Sequence, residues 1–266
     1  IPRKEVLTVD EKRLIFIVGM PRSGTKLLRG LLNNHPEVYI PNYETEFFFY
    51  WKKHWQTYED LSELANFQKF YDSCQKIPYF MYLRENEESV SWKSWYENCS
   101  EFTPEAVFFA LLQCQSSRKG NVKVIGDKSP SYLSKVAELQ SCYRSAHVIH
   151  ITRDVRDYAI SMKAAWGKNM YRAAARWGEA IEAILVAPEI DRNRLTTVKY
   201  ESLLANPSRV LRELCAVLNL SFDEKLLVLN RSTENLGAAR GMTQIKADNH
   251  SKFKEQLTQA QICRIE

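Results

Sequence analysis

The sequence contains 266 residues, of which 45% are hydrophobic and 26% are charged, a composition that suffices for the core of an α/β domain. Its net charge of +5 is only mildly basic, which argues against a nucleic-acid partner and is compatible with an anionic ligand. Its apolar runs are too short to predict a membrane span, and its six cysteines lack CxxC or Cys/His spacing, which argues against a zinc site.

The cellular location is inferred from weak signals. With no apparent leader, the sequence predicts a cytoplasmic protein, and the lumen of the secretory pathway is the alternative if a leader has been removed. Four Asn-x-Ser sequons would suit the second location. We interpret them as chance, because one of the four lies in the apolar segment 218–222, where a glycan would be hard to place. The sequence does not indicate an oligomeric state. The sequon residues are Asn98, Asn219, Asn230 and Asn249.

The first predicted elements are a strand, a glycine-containing loop and a helix. Residues 14–18 (LIFIV) form a short apolar run with β-branched members, which is typical of a strand buried on both faces. The loop GMPRSGT at 19–25 follows, and residues 26–32 then place four leucines on one helical face. This order predicts a cradle for a phosphate-like group at the helix N-terminus.

Residues 47–109 differ in composition from the rest of the sequence. They hold 19 of the 31 aromatic residues and no glycine, and their periodicity is largely helical. We interpret this segment as an aromatic-rich helical insertion that covers the site on the sheet. A second, small aromatic core is the alternative.

Three further strands are predicted at 122–125, 147–152 and 195–200. A helix follows the second of them from about Val155. Asn206 and Pro207 begin a helix after the third, since Asn is a good N-cap and Pro a good first helical residue. Strands that alternate with helices predict an α/β fold with a central, mostly parallel sheet flanked by helices. We expect residues 1–266 to form a single domain.

The glycine-containing loop differs from the Walker A pattern GxxxxGK[ST]. Gly19 and Gly24 have the right spacing, but Thr25 precedes Lys26, which reverses the order found in NTPases. The hydroxyl that would hold magnesium therefore lies one residue early. The loop predicts a phosphate-like anion bound at a helix N-terminus without a metal. A P-loop kinase or NTPase and a non-catalytic nucleotide-binding module are the alternatives.

Three stretches resemble the sulfotransferases that use 3′-phosphoadenosine-5′-phosphosulfate (PAPS). IFIVGMPRSGTKLLRGLLNNHPEV is similar to the 5′-phosphosulfate loop of that family, whose core is Pro-Arg-Ser-Gly-Thr. HVIHITRDVRDYAISM resembles its 3′-phosphate motif, and AAARWGEAI with VKYESLLANPSRVLRELCAVLNL resembles its closing half. The matches run from about Leu14 to Leu220, without the aromatic insertion. The resemblance implies a P-loop-like sulfotransferase fold.

The resemblance also implies how PAPS is bound. The first motif would enclose the 5′-phosphosulfate, and an Arg at the end of a strand with a Ser eight positions later would hold the 3′-phosphate, for which a planar guanidinium is well suited. The alternative role for that Arg, Arg153, is a surface salt bridge. The alternative role for Tyr200, at the end of the strand predicted at 195–200, is core packing. The predicted donor-binding residues are Arg22, Ser23, Gly24, Thr25, Lys26, Arg153, Ser161, Tyr200 and Lys252.

Residues for the transfer step follow from the same resemblance. Glu44 lies three residues before a Phe pair, where relatives place a general base, and Glu46 is the competing candidate. A solvated loop carboxylate is the alternative role. Lys128, in the turn Gly-Asp-Lys-Ser-Pro, would stabilise negative charge that grows on the leaving phosphate. Arg22 is assigned a catalytic as well as a binding role.

We therefore expect an enzyme that transfers a sulfuryl group from PAPS to a hydroxyl or amine of a small or medium-sized organic acceptor and releases PAP, the desulfated nucleotide. The segment 47–109 carries six basic and ten acidic residues, which is unfavourable for a polyanion. Its aromatic residues are of the type that lines small-molecule pockets. A protein tyrosine or a carbohydrate is the alternative acceptor.

Overall fold

The computed structural model describes residues 13–230, 232 and 240–266. In this part of the chain a five-stranded parallel sheet has the strand order β2-β3-β1-β4-β5. Helices flank the sheet, as the alternation of strands and helices in the sequence predicts. The strands are β1 (Arg13–Val18), β2 (Val38–Tyr39), β3 (Val124–Lys128), β4 (His147–Thr152) and β5 (Leu195–Lys199).

Helices fill most of the chain between the strands. The segment between β2 and β3 is helical, as predicted, and three of its five helices start with a local signal: Pro at the N-terminus of α4, a Ser cap on α5, and a Thr cap followed by Pro on α6. The helices are α1 (Thr25–Leu32), α2 (Phe48–His54), α3 (Leu64–Cys74), α4 (Pro78–Glu85), α5 (Trp92–Asn98), α6 (Pro104–Ser116), α7 (Val136–Cys142), α8 (Val155–Trp166), α9 (Met170–Val186), α10 (Tyr200–Ala205), α11 (Pro207–Val217), α12 (Phe253–Gln256) and α13 (Gln259–Ile265).

The described residues form two compact units. The first contains residues 13–15 and 36–129, and the second contains 16–35 with the described residues from 130 onward. In the first unit, β2 pairs with β3 in the register Val38 to Val124. Gly126 of β3 leaves no room for a side chain, because a Cβ there would lie 2.6 Å from Ile15 Cγ1.

The second unit is built on the pairing of β4 with β5, which runs from Val148–Leu195 to Thr152–Lys199. Helices α8 and α9 pack against each other, and α13 packs against both. Their contact is a small apolar cluster in which Ala159, Met170, Ala174 and Ile265 are buried.

Element boundaries differ from the predicted ones at three places. The strand predicted at 122–125 is Val124–Lys128, so the Gly-Asp-Lys sequence lies inside β3 and not after it. Tyr200, predicted as the end of a strand, is the first residue of α10. Strand β2 was not predicted, because two residues carry no periodicity.

One inference about the sequon residues is wrong. Asn219 is exposed and has a φ of 54°, so the argument that its surroundings would exclude a glycan is incorrect. Asn249, in contrast, is buried. Within the described residues, no helix is both long enough and apolar enough to cross a membrane.

Candidate active site

The loop between β1 and α1 turns sharply before the helix begins. Arg22 and Gly24 both have positive φ angles, 70° and 96°, on either side of Ser23. Gly24 is the N-cap of α1, and no side chain caps this helix end. Left-handed residues in such a turn orient backbone N–H groups toward a common point, and the helix dipole adds positive potential there. The local geometry is that of an anion-binding loop.

Neighbouring residues approach the backbone of this loop closely. A Cβ on Gly24 would lie 2.8 Å from Tyr200 Cε2 and nearer still to Cδ2 of the same ring. A Cβ on Gly19 would lie 3.1 Å from Ile151 Cγ2 and closer to the Ile151 carbonyl oxygen. Both glycines are therefore required by packing, and Gly24 is favoured by its left-handed backbone conformation as well.

The hydroxyl residues of the loop are enclosed by protein. Ser23 is fully buried, and its Oγ has no hydrogen-bond partner among the described residues. Thr25 is buried as well, whereas Lys26 is half-buried at the start of α1. A buried hydroxyl without a partner is costly unless a ligand supplies one. Ser23 is therefore suited to contact an anion in the loop.

Arg153, at the carboxyl end of β4, is only 6% exposed. Its Nη1 donates to the carbonyl oxygen of Arg22 at 3.1 Å, and its Nη2 donates to that of Asn249 at 3.2 Å. Its guanidinium lies over the Tyr200 ring at 4.7 Å, and its Nε has no partner in the described part of the chain.

Arg153 is thus a buried cation without a carboxylate in the described residues. Neither of the two carboxylates that could form a surface salt bridge pairs with Arg153 in the described part of the chain. Asp154 accepts from the Arg156 guanidinium at 2.6 Å, and Asp157 accepts from the backbone N–H of Phe253 at 3.0 Å. A buried charge without a partner is strongly unfavourable, so Arg153 is well suited to an anionic ligand.

The two predicted phosphate motifs are in contact. Arg22 Nε donates to Ser161 Oγ at 3.3 Å, which joins the loop to α8. Together with the bond from Arg153 to the Arg22 carbonyl, this contact brings residues of the first and second motifs into one site within the second unit.

The segment around Lys252 adds to this site. Partial burial and the nearby charges of Arg153 and Lys246 lower the pKa of Lys252, against the opposing effect of Asp157 and Asp248. Lys252 therefore lies within electrostatic range of Arg153. Like charges held together in this way indicate a place for an anion.

Asn249 is a site residue that the sequence analysis did not identify. Its Nδ2 donates to the Tyr200 hydroxyl at 2.8 Å, and its carbonyl oxygen accepts from Arg153. It thereby fixes both the aromatic ring and the guanidinium. No donor-binding motif includes it, because its partners lie 49 and 96 residues away in the sequence.

In the first unit, Glu44 and Lys128 form an ion pair between Glu44 Oε1 and Lys128 Nζ. Lys128 is the last residue of β3 and its side chain is 1% exposed, while that of Glu44 is 29% exposed. Ser129 holds the adjoining segment: its hydroxyl lies 3.4 Å from the Thr45 hydroxyl and accepts from the backbone N–H of Glu46 at 3.3 Å.

The two candidate bases differ in their surroundings. Glu46 is exposed and has a φ of 53°, whereas Glu44 contacts the Lys128 ammonium. Next to Lys128, burial raises the pKa of Asp127 to about 6, although the Ser129 and Thr45 hydroxyls and the Lys128 charge lower it. The arrangement provides a carboxylate that can accept a proton and a cation that can stabilise negative charge.

The aromatic residues of segment 47–109 pack mainly against one another. Trp51 and Trp95 stack at 5.8 Å and are fully buried, and Phe47 contacts Tyr79 edge to face at 5.3 Å. The alternative of an aromatic core cluster therefore describes these four side chains. The prediction of a small-molecule acceptor covered by this segment stays a prediction. The other aromatic residues of this cluster that are almost fully buried are Phe48, Phe67, Phe70, Phe80 and Phe108.

A protein-family comparison agrees with the geometry. The model described as the sulfotransferase family matches residues 14–224. The chain belongs to the sulfotransferase family. The match covers the anion-binding loop, the Glu44–Lys128 pair, Arg153, Ser161 and Tyr200, and it ends before Asn249 and Lys252.

Solved structures show that this sulfotransferase-family chain has a known fold. The sulfotransferase domain from the curacin biosynthetic pathway superposes with a TM-score of 0.61 at 19% identity, and 96% of each chain is covered. The sulfotransferase domain of the Synechococcus PCC 7002 olefin synthase gives a TM-score of 0.53 at 21% identity over 93% of this chain and 84% of that one. At these identities the likeness concerns the fold alone.

Curated relatives include protein-tyrosine sulfotransferases from animals. Protein-tyrosine sulfotransferase 2 of Gallus gallus is 26% identical over 225 residues, which are 82% of this chain and 54% of the relative. Protein-tyrosine sulfotransferase 1 of Danio rerio is 25% identical over 242 residues, which are 88% of this chain and 60% of the relative. The chain thus spans between half and three fifths of the length of these relatives.

Proposed function

We propose that this protein transfers a sulfuryl group from PAPS to an acceptor hydroxyl or amine and releases PAP. The observation that carries the proposal is Arg153, a buried guanidinium that bonds to the loop backbone and has no carboxylate partner among the described residues. Such a group favours a doubly charged anion such as the 3′-phosphate, which distinguishes PAPS from ATP.

The residues of the second unit fit the two charged ends of PAPS. The unpartnered Ser23 hydroxyl, the N-terminus of α1, Lys26 and Arg22 would hold the 5′-phosphosulfate. Arg153, whose Nε has no partner among the described residues, would hold the 3′-phosphate, together with Ser161 and with Lys252 from the C-terminal segment. When bound, PAPS supplies the activated sulfuryl group.

The Tyr200 ring would contribute to the same donor site from beside Arg153. Its face already carries the Arg153 guanidinium at 4.7 Å, and its hydroxyl accepts from Asn249. A ring held in this way limits where the nucleotide can lie. Tyr200 is therefore assigned to orienting the donor.

Glu44 and Lys128 are assigned to the transfer step. The acceptor's oxygen or nitrogen would form the new bond to sulfur, while the bond from sulfur to the 5′-phosphate oxygen breaks. Glu44 would accept the proton that this acceptor atom loses. Lys128 would stabilise the charge that this phosphate oxygen gains, a role in which a buried cation is most effective. Arg22 would stabilise the transferred group from the loop. The order Thr25-Lys26 supports a reaction that needs no magnesium.

For the acceptor, we propose a phenolic hydroxyl, which small phenols and protein tyrosines share. The relatives named as protein-tyrosine sulfotransferases favour a protein tyrosine. A small phenol corresponds to the small organic acceptor that the sequence predicts. The role of segment 47–109 as a cover of the acceptor site stays a prediction.

The test is ligand-dependent thermal stability followed by turnover. PAP at about 100-fold excess over its Kd should stabilise the native state by about 2.7 kcal/mol, and it should do so equally in EDTA. ATP with magnesium should shift the melting temperature much less, because it lacks the 3′-phosphate. Equal shifts from the two nucleotides would contradict the donor assignment and favour a nucleotide kinase or NTPase.

Turnover is then measured with labelled PAPS and a panel of phenols, tyrosyl peptides, alcohols, amines and oligosaccharides. Transfer to a phenol or a tyrosyl peptide is the expected result. Binding of PAP without transfer to any acceptor would favour a non-catalytic nucleotide-binding module.

A further inference from the structure

Asp127 of β3 carries a fully buried carboxyl group that the transfer step described above does not use. Neither of its oxygens has a partner at hydrogen-bond distance among the described residues. Burying a carboxylate in this way is costly, and an amide of the same size would avoid the cost. Stability alone therefore does not account for an acid at this position.

Two hydroxyl groups lie next to this carboxyl group. Burial raises the pKa of Asp127, and the hydroxyls of Ser129 and Thr45 lower it. Both hydroxyl residues are themselves buried. They lie near enough to bond to the carboxylate after a small movement. We call Asp127, Ser129 and Thr45 the Asp127 cluster.

The Asp127 cluster joins the end of β3 to the loop that carries Glu44. The Ser129 hydroxyl lies 3.4 Å from the Thr45 hydroxyl and accepts from the backbone N–H of Glu46 at 3.3 Å. Thr45 directly follows Glu44 in the sequence, and the other two members of the cluster flank Lys128. The cluster therefore adjoins both partners of the Glu44–Lys128 ion pair.

The charge of Asp127 can orient this contact. An ionised carboxylate only accepts hydrogen bonds, so the Ser129 and Thr45 hydroxyls can both direct their hydrogens toward it. The Ser129 oxygen then keeps its lone pairs for the N–H of Glu46. An amide at position 127 would also present an N–H donor, which would compete for that oxygen.

We propose that Asp127 is a positioning residue that acts through the Ser129 and Thr45 hydroxyls to hold Glu44 where it accepts the proton of the acceptor. This inference rests on the proposed function, because it concerns the transfer step. Asp127 is 0% exposed and so does not itself contact the acceptor.

Lys128 and Tyr79 are the ionisable groups near Asp127. The charge of Lys128 lowers the pKa of Asp127. Burial raises the pKa of Tyr79, on α4, and the charge of Asp127 adds to this effect. The Tyr79 hydroxyl therefore stays protonated, and it donates to Gln115 at 2.7 Å. Since the pKa of Asp127 is about 6, its charge changes at a pH where those of Lys128 and Tyr79 do not.

The experiment compares the wild type with Asp127→Asn in steady-state transfer from labelled PAPS to 4-nitrophenol and to a tyrosyl peptide. We expect kcat to fall about 10- to 100-fold, because misplacing a catalytic group can cost up to about 100-fold in rate. The Kd for PAP should be unchanged. The melting temperature at pH 7 should rise, because a buried charge is removed, whereas a merely structural role would lower it.

The pH dependence of kcat gives a second measurement. Because the ionised form of Asp127 orients the loop, wild-type kcat should rise as the pH increases through about 6. This step should be absent in Asp127→Asn. Any step that Glu44 itself causes should be present in both proteins.

Ser129→Ala tests the path through the hydroxyl. It should lower kcat as Asp127→Asn does, and the double variant should be no slower than the slower single variant, because residues that act through one another are not additive. Glu105→Gln is the matched control, since it removes a carboxylate of the same unit that pairs with Lys52 outside the Asp127 cluster. It should keep both kcat and its pH dependence.

Three outcomes would overturn the inference. They are a wild-type kcat in Asp127→Asn or in Ser129→Ala, a step near pH 6 that persists in Asp127→Asn, and losses that multiply in the double variant. Failure of the wild type to transfer to either acceptor would instead contradict the proposed function, so the two failures are distinguishable.

Discussion

The ring of Tyr200 covers Gly24 so closely that no side chain fits between them, since a Cβ on Gly24 would lie 2.8 Å or less from the ring. The same ring carries the Arg153 guanidinium and accepts a hydrogen bond from Asn249. The loop that would hold one end of PAPS and the arginine that would hold the other therefore contact a single aromatic side chain. We therefore expect a substitution at any of these residues to displace the side chains of the others.

We expect Gly24→Ala to destabilise the protein and weaken PAP binding. Forcing a side chain into the left-handed region costs about 1–2 kcal/mol, and the methyl group must also displace Tyr200. If that displacement costs about 1.4 kcal/mol of binding, the Kd for PAP rises about tenfold. Urea unfolding and titration calorimetry measure the two effects.

The control for this variant is Gly178→Ala. Gly178 lies inside α9, and a Cβ there would meet nothing within 4 Å. Replacing a helical Gly by Ala stabilises a helix by about 0.5–1 kcal/mol, so the two variants should have effects of opposite sign. Wild-type stability and PAP affinity in Gly24→Ala would show that the close approach to Tyr200 is not required.

Arg153→Ala should chiefly weaken donor binding. Loss of a charged hydrogen-bond donor costs about 1.5–3 kcal/mol, which is a rise of about 10- to 100-fold in the Kd for PAP. The affinity for ATP should change much less, because ATP has no 3′-phosphate. Arg209→Ala is the matched control: Arg209 pairs with Glu213 on the exposed face of α11, and its loss should leave PAP binding unchanged. Equal losses for PAP and ATP would argue against a 3′-phosphate contact.

Glu44→Gln should lower kcat by about 10²- to 10⁴-fold, the usual contribution of a general base, while PAP binding stays close to that of the wild type. Glu46→Gln should leave kcat nearly unchanged, because Glu46 is exposed and Glu44 contacts Lys128. Steady-state kinetics with labelled PAPS and calorimetry on both variants decide between them. A low kcat in Glu46→Gln with a normal kcat in Glu44→Gln would assign the proton transfer to Glu46. A normal kcat in both variants would show that neither carboxylate acts as a general base.

Asp127 should make stability depend on pH with a definite sign. Its carboxyl has a pKa of about 6 in the folded protein because of burial, against 3.8 for the ordinary group. Its contribution to stability is therefore present below pH 3.8 and lost as the pH rises through 6. Relative to the wild type, Asp127→Asn should gain up to about 3 kcal/mol of unfolding free energy between pH 4 and pH 7.

The wild type must be compared with Asp127→Asn, because His150 changes the unfolding free energy with pH in the opposite direction to Asp127. Burial lowers the pKa of His150 to about 4 from 6.5, so its contribution is lost as the pH falls. The two effects offset each other in the wild type, and the difference between variant and wild type isolates Asp127. Urea unfolding at several pH values gives this difference. A difference that does not change with pH would mean that Asp127 has an ordinary pKa.

The elements that the sequence predicted well are those with strong local signals. The apolar run of β1, the leucine face of α1 and the Asn-Pro start of α11 all lie where they were expected. Each depends on interactions within a few residues, which periodicity and capping preferences report directly. β2 was missed, and β3 begins two residues and ends three residues later than predicted, because the limits of both strands depend on their pairing with each other.

By itself the sequence determined the fold class and the family resemblance, since both are carried by short motifs in a fixed order, and from the same motifs it predicted the residues of a donor site. Only the tertiary structure decided which residues meet: Asn249 with Tyr200 and Arg153, and Glu44 instead of Glu46 with Lys128. It also showed that many of the aromatic residues of segment 47–109, Trp51 and Trp95 among them, are buried against one another. The physical reason is that burial and long-range hydrogen bonds depend on side chains far apart in the sequence, and composition cannot distinguish an aromatic ring that faces a ligand from one that faces another ring.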